Sequence, residues 1–341
     1  MRALVCTRLD GEDGLEPRTD WTPPGPCGPT QVRVAVQAAS VNFPDTLITR
    51  GRYQLRRDPP FVPGNEAAGV VVEVGEAVAD FTVGDRVLAL TGIGAFADEV
   101  MVAPPVQQLH RIPDAMPFAD AAAFNLTYGT AGHGLLERGG LRAGETVLVN
   151  GAAGGCGSAA IQIAKAAGAE VIAVAGGAAK TQLAAKIGAD WTIDHTDLVG
   201  ERGLSAVVRE LTAERGVDVV FDNVGADVRD LVRCLAWNGR FLVVGFAGGD
   251  VPSLPLNLTV LKSVAVVGVA YGASAIADPT ANRALFARLF EWYEAGAIRP
   301  HIGARFAFED GAAAVRTLHD RAALGKVVID FTHDPSEEVT P

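Results

Sequence analysis

The amino-acid sequence predicts an α/β protein of two domains: a β-rich domain drawn from both ends of the chain, and a doubly wound nucleotide-binding domain inserted into it. Three observations carry that prediction. The first third alternates short apolar runs with Gly and Pro punctuation. From about Thr127, strand patterns alternate with helical patterns of ten or more residues. After a helix that stops at Gly296, the strand-and-turn texture returns, and a length of 341 residues accommodates two such cores.

In the first part, Val32, Val34 and Val36 alternate with Arg33 and Gln37, the period-two signature of a strand with one buried face. Gly69–Val74 and Arg86–Leu90 read as further strands. Pro63-Gly64, Gly75, Gly84, Gly92 and Gly94 mark tight turns of an antiparallel, barrel-like unit, interrupted by one short helix near Asp45–Arg50. Beyond Thr127, six strands are expected at Thr146–Asn150, Glu170–Ala175, Trp191–Asp194, Val217–Asp222, Arg240–Gly245 and Val264–Val269. Helices near Gly157–Gly168, Lys180–Gly188, Leu204–Glu214 and Asp227–Trp237 complete the rhythm of a parallel, doubly wound sheet. Past Asp278-Pro279 a helix sets Leu285, Leu289 and Trp292 on one stripe, and Arg305–Phe308 and Lys326–Phe331 read as strands rejoining the first domain. The expected division is 1–125 for the first part of the β-rich domain, 126–271 for the insertion and 272–341 for the return.

Composition narrows the function. A net charge of -11 with no run of Lys or Arg argues against nucleic acid as the main partner, because phosphate backbones need a basic face. The four cysteines, Cys6, Cys27, Cys156 and Cys234, form no CxxC pair, which fits a reducing cytoplasm. The opening residues turn acidic without an apolar signal core, and the longest apolar run, near Val264 to Ala270, is too short to span a bilayer; a cytoplasmic protein without membrane contact is expected.

The strongest single motif is Val147-Leu-Val-Asn-Gly-Ala-Ala-Gly-Gly-Cys-Gly157, a strand running into a glycine loop that opens a helix beginning at Gly157-Ser158. A pyrophosphate belongs there: Gly154 lets the backbone approach it, Gly157 permits close helix–strand packing, and the helix N-terminus offers N–H donors to negative charge. Ala152 stands where the first glycine of GxGxxG would be.

The chain resembles, over almost its full length, the medium-chain dehydrogenase/reductase superfamily, and within it the zinc-free quinone oxidoreductases related to zeta-crystallin. The resemblance is carried by Ser40-Val-Asn-Phe-Pro-Asp45 with Gly51-Arg-Tyr53, Pro63-Gly-Asn-Glu-Ala-Ala-Gly69, Val83-Gly-Asp-Arg-Val87, the Gly151 to Gly157 loop, Asp222-Asn-Val-Gly225, Val244-Gly-Phe-Ala-Gly248 and Gly325-Lys-Val-Val328. It implies a GroES-like catalytic domain split between the chain ends, an inserted Rossmann domain, and a cleft for nicotinamide and substrate. Zinc alcohol dehydrogenases of the superfamily hold catalytic zinc with Cys and His ligands; here the matching places read Asn42-Phe-Pro-Asp45 and Gly64-Asn65-Glu66, so no metal is expected. Without a Lewis acid, the natural reaction is hydride donation to an electron-poor acceptor such as a quinone or an α,β-unsaturated carbonyl.

NADP(H) is the expected coenzyme, because no acid ends the second strand of the insertion, where NAD enzymes bind the ribose hydroxyl. The resemblance places 2′-phosphate contacts at Gly176 and Lys180, with His195 in place of a phosphate-binding Tyr; a solvated lysine is the bland alternative for Lys180. Further coenzyme contacts are implied at Asn42, Thr127, Ala153, Gly154, Gly155, Cys156, Gly157, Asn223, Phe246, Val269 and Lys326. At the reacting end it points to Asn42, Asp45 and Tyr53. Pro44-Asp45 could equally start a helix, Asn42 satisfy a turn and Tyr53 pack as a half-buried aromatic. Three functions follow: NADPH:quinone reduction, enoyl-thioester reduction with Tyr53 as proton donor and Arg50, Arg52, Arg56 and Arg57 as a basic entrance, or a non-enzymatic role as an NADPH-binding or RNA-binding protein. The resemblance also implies a homodimer paired through the sixth strand, Val264–Val269.

Overall fold

The computed structural model describes residues 1–54, 56–104, 106–198 and 203–332. The chain divides into two compact units. One comprises Met1–Leu126, Ala275–Arg283 and the stretch from Pro300 onward; the other comprises Thr127–Ser274 and Ala284–Arg299.

In the first unit, seven strands form one sheet. Along it run Ile302–Ala307, Lys326–Asp330, Val32–Val41, Glu66–Val74, Arg86–Leu90 and Gln108–Arg111, with Glu99–Val102 pairing separately to Val32–Val41. Val32, Val34 and Val36 are buried and the residues between them half-exposed, as the alternation predicts. From Ala38 onward every residue of that strand is buried, because strands cover both its edges and the register shifts between Val36 and Ala38. Its antiparallel pairing with the C-terminal strand, Val327 opposite Val41 and Asp330 opposite Ala38, brings the end of the chain back beside its beginning.

The second unit is a six-stranded parallel sheet in the spatial order Trp191–Asp194, Glu170–Ala175, Thr146–Asn150, Val217–Asp222, Leu235–Val243 and Ala265–Gly268. By position in the chain that order is 3-2-1-4-5-6, the doubly wound arrangement with its switch point between the first and fourth strands. The α/β class, with a split β-rich unit around a Rossmann sheet, is therefore as the sequence predicted.

Several boundaries differ. The helix of the glycine loop spans Gly155–Ala166 and so starts two residues before Gly157. The short helix near Asp45 is Phe43–Ile48, capped from Asn42. The helix expected to reach Trp237 stops at Cys234, because Leu235 turns extended and pairs with Val217; a register break follows, with Asn238 left-handed at φ 62°. Helices at Phe118–Ala122 and Asn125–Gly132, followed by a π-helical turn at His133–Arg138, were not expected. Their alanines and glycines are buried almost all round, so no amphipathic stripe announces them. Among the described residues no helix is long and apolar enough to cross a membrane.

Candidate active-site residues

The second unit gathers its implied coenzyme residues at the carboxyl ends of its strands, where open α/β sheets bind ligands. The loop after Asn150 reverses at Gly151, with φ +73°, and its first two N–H groups, from Gly151 and Ala152, both donate to Val174 O at 3.1 Å. A Cβ on Gly157 would lie 2.2 Å from Gly151 O, so only glycine fits where the helix crosses the loop. A Cβ on Gly154 would meet nothing nearer than 3.6 Å, leaving that side open for close approach. Ala153, Gly155 and Cys156 complete the turn, and the first-turn N–H groups of a helix have no intrahelical acceptor, which fits a pyrophosphate.

Asn223 follows the fourth strand and bridges the switch point. In the amide orientation that satisfies both ends, its Nδ2 donates to Asn150 O (3.0 Å) and its Oδ1 accepts from Gly157 N–H (3.2 Å). Asp222 beside it, which the sequence reading left without a role, accepts from Asn150 Nδ2 and from the N–H groups of Val224 and Gly225, and burial raises its carboxyl above the ordinary range. Its signal in the sequence is the Asp-Asn-Val-Gly turn. Phe246 lies beyond the fifth strand with its ring against Gly225, and Val269, beyond the sixth, donates its N–H to Val243 O. Thr127 is buried at the head of the unit, with Cys156 Sγ 3.9 Å from its carbonyl oxygen.

At the end of the second strand, where NAD enzymes carry an acid, stands Gly176, facing the turn after the third strand. A Cβ there would sit 2.7 Å from His195 Nε2, so the imidazole lies over bare backbone. Lys180 follows in the first turn of the helix Ala178–Lys186.

Of the residues implied for the reacting end, Asn42 and Asp45 lie in one buried polar cluster of the first unit, and Tyr53 packs half-buried against the apolar core. Glu66 Oε2 accepts from Ser40 Oγ (2.9 Å) and Asn42 Nδ2 (3.1 Å) and lies 3.5 Å from Lys326 Nζ; its Oε1 accepts from Leu126 N–H (2.9 Å). Lys326 Nζ donates to Asn42 Oδ1 at 2.5 Å. Asp45 Oδ2 accepts from Asn42 N–H (2.8 Å), the reciprocal arm of a helix cap, while its Oδ1 has no partner. Burial pushes the Asp45 carboxyl up to about 7, against the opposing pull of the Asn42 N–H and Lys326. Tyr53 is half-buried against the core, and burial, then the nearby Asp45, raise its phenol. Ser40 and Glu66 thus share the hydrogen bonds of the cluster with Asn42 and Lys326, and Asp45 joins it through the Asn42 N–H. Of the four arginines near Tyr53, Arg50 is occupied by Glu12 (2.5 Å) and Thr46 O, whereas Arg52, Arg56 and Arg57 are exposed.

The donors do not fit a catalytic zinc. Asn42 and Glu66 are committed to each other and to Lys326, and Asn65 Oδ1 accepts from Gly92 N–H. Among the described residues no three His, Cys, Asp or Glu side chains converge as a metal site.

A β-rich unit completed by the C-terminus, with a Rossmann sheet inserted, defines a class of dehydrogenases and reductases. The alcohol dehydrogenase GroES-like domain family matches residues 28–114, and the zinc-binding dehydrogenase family matches residues 155–288. The chain is 39% identical over 332 residues to a quinone oxidoreductase-like protein 2 homolog of Nematostella vectensis, covering 96% of this chain and 88% of that one. A probable oxidoreductase from Mycobacterium abscessus superposes with a TM-score of 0.86 at 41% identity, over 97% of this chain and 98% of that one. Escherichia coli quinone oxidoreductase complexed with NADPH does so with a TM-score of 0.85 at 27% identity, over 97% and 100%. The chain belongs to the medium-chain dehydrogenase/reductase superfamily, in its zinc-free quinone oxidoreductase-like family.

Proposed function

We propose that this oxidoreductase binds NADP(H) and reduces a quinone or a related conjugated carbonyl without zinc. The observation that carries the reading is the closed cluster of Ser40, Asn42, Glu66 and Lys326, which fills with hydrogen bonds the place where zinc relatives keep their ligands. Two further features support it: the acid-free end of the second strand, and the NADPH in the Escherichia coli relative.

When bound, reduced nicotinamide supplies the hydride. The protein's part is to hold the phosphates, orient the acceptor and steady the charge that develops on it. The glycine loop and the Gly155–Ala166 helix take the pyrophosphate, while Gly176, Lys180 and His195 take the 2′-phosphate. Asn42 acts as a positioning residue, since its amide is committed to Glu66, Ser40 and Lys326. Asp45, with no exposed surface, positions the helix that leads to Tyr53. Tyr53 keeps its proton at neutral pH and donates to the acceptor oxygen.

Tyr53→Phe tests the acceptor. A quinone takes negative charge on oxygen, which water protonates, so the variant loses one hydrogen bond and about tenfold or less in kcat/KM. An enoyl thioester needs a proton at carbon, where general-acid catalysis is worth about a hundredfold to ten-thousandfold. Efficient enoyl-CoA reduction abolished by Tyr53→Phe would replace the quinone reading with the enoyl reductase one.

We also propose a homodimer through the edge strand Ala265–Gly268. Among the described residues that strand pairs on one side only, Val266 on it is exposed, and so are Leu256, Val260 and Leu261 in the segment before it.

A further inference from the structure

We propose that Asp194 is a positioning residue for coenzyme choice, holding the turn after the second strand of the parallel sheet in the shape that admits the 2′-phosphate of NADPH. This role rests on the coenzyme reading above and adds to it a residue that need not touch the coenzyme.

The turn is built from two glycines that are there for different reasons. At Gly176 a Cβ would lie 2.7 Å from His195 Nε2, so the constraint is space. At Gly177 nothing lies within 4 Å of where a Cβ would stand, and the constraint is the backbone, with φ at +90°. Gly177 is also the N-cap of the helix Ala178–Lys186 and has no side chain with which to hold that end. Two successive glycines have the widest choice of backbone conformations, so a turn made of them is fixed from outside itself.

Asp194 supplies that outside hold. In the parallel pairing of the second and third strands it stands opposite Ala175, at the level where the second strand ends. Its Oδ1 accepts three hydrogen bonds: from Gly177 N–H (2.9 Å) across the gap between the strands, and from Thr196 N–H (2.9 Å) and Thr196 Oγ1 (2.6 Å) in the turn after its own strand. The donors from Gly177 and Thr196 hold the carboxyl below its ordinary range, so these are charge-assisted hydrogen bonds through neutral pH. One oxygen thus ties the two turns together and keeps the bare backbone of Gly176 facing the turn His195–Asp197. An NAD enzyme places an acid at the end of the second strand, where it binds the ribose hydroxyl. Here the acid stands one strand over with its Oδ1 taken up by protein donors, so it organises the turn. NADH, which has no 2′-phosphate, depends on that turn less than NADPH does.

The test is equilibrium titration of the full-length protein with NADPH and with NADH, followed by coenzyme fluorescence, for the parent, Asp194→Asn and Asp194→Ala. Both variants remove the negative charge, and only Asn keeps an oxygen to accept the three hydrogen bonds. The difference between them therefore separates the hold on the turn from electrostatic repulsion of a phosphate. In Asp194→Asn the ratio of the NADH Kd to the NADPH Kd stays at or above that of the parent. In Asp194→Ala it falls about tenfold below the Asn variant through weaker NADPH binding, while NADH binding changes by less than about threefold. Thr196→Val deletes one of the three donors, lowers the ratio in the same direction by about threefold, and carries the test should Asp194→Ala not fold. Equal ratios in the Asn and Ala variants, an Ala variant that weakens both coenzymes in equal proportion, or an unchanged ratio in Thr196→Val overturns the role of Asp194 and leaves the coenzyme reading standing. A parent that binds NADPH no more tightly than NADH overturns both.

Discussion

Asp45 joins the local sequence to the buried cluster. Residues 42 to 45 announce a helix cap, and the cap is there: Asn42 N–H donates to the Asp45 carboxylate three residues on. The partners that give the cluster its electrostatics are not local. Glu66 is 24 residues from Asn42 and Lys326 is 284, so only the pairing of three strands in one sheet brings them together, and no spacing along the chain encodes that. Burial sets the Asp45 carboxyl at about 7, above the ordinary value of 3.8 that an unfolded chain shows. Between those values the folded chain holds a proton the unfolded chain has released, so this residue's contribution to stability is greatest in acid and falls as pH rises from 4 to 7. Asp45→Asn removes that dependence while keeping an oxygen to accept from Asn42. Urea denaturation is expected to show the variant gaining on the parent as pH rises, by up to about 4 kcal/mol over the window. A difference that does not change with pH would mean that the parent's carboxylate is ionised throughout.

At the scale of elements, the glycine loop was the most legible part of the chain, because strand, Gly-rich turn and helix follow one another between Thr146 and Ala166, and Gly151, Gly154 and Gly157 each have a local reason. The two-residue error at the helix start has a local cause too, since Gly154 in extended conformation is the last residue before the helix and Gly155 already belongs to it. The helices between Phe118 and Arg138 were illegible for the opposite reason: small residues buried on every side carry no period. The loop yields a paired prediction. Gly157→Ala drives a Cβ into the carbonyl of Gly151 and should lower the melting temperature and weaken NADPH binding together. Gly154→Ala has room in the fold, so its melting temperature should stay within about 2 °C of the parent while NADPH affinity drops about tenfold or more, if the pyrophosphate approaches there. Unchanged NADPH affinity in Gly154→Ala would remove the phosphate from this loop.

For the whole molecule, the α/β class and the parallel sheet were legible from rhythm alone, and the resemblance supplied the zinc-free branch that rhythm does not contain. Association is a further property at this scale. The exposed Val266 on an edge strand leads to the expectation that light scattering at micromolar concentration reports twice the mass of the chain, and that Val266→Glu shifts it toward the monomer. A parent that runs as a monomer would refute the proposed pairing. The measurement that bears most directly on the function is NADPH consumption by the chelator-treated protein, followed in parallel with a quinone and with an enoyl-CoA. Turnover with the quinone, undiminished by the chelator, is expected, with slow or absent turnover of the enoyl-CoA. Efficient enoyl-CoA reduction without quinone turnover, or activity lost on chelation, would contradict it.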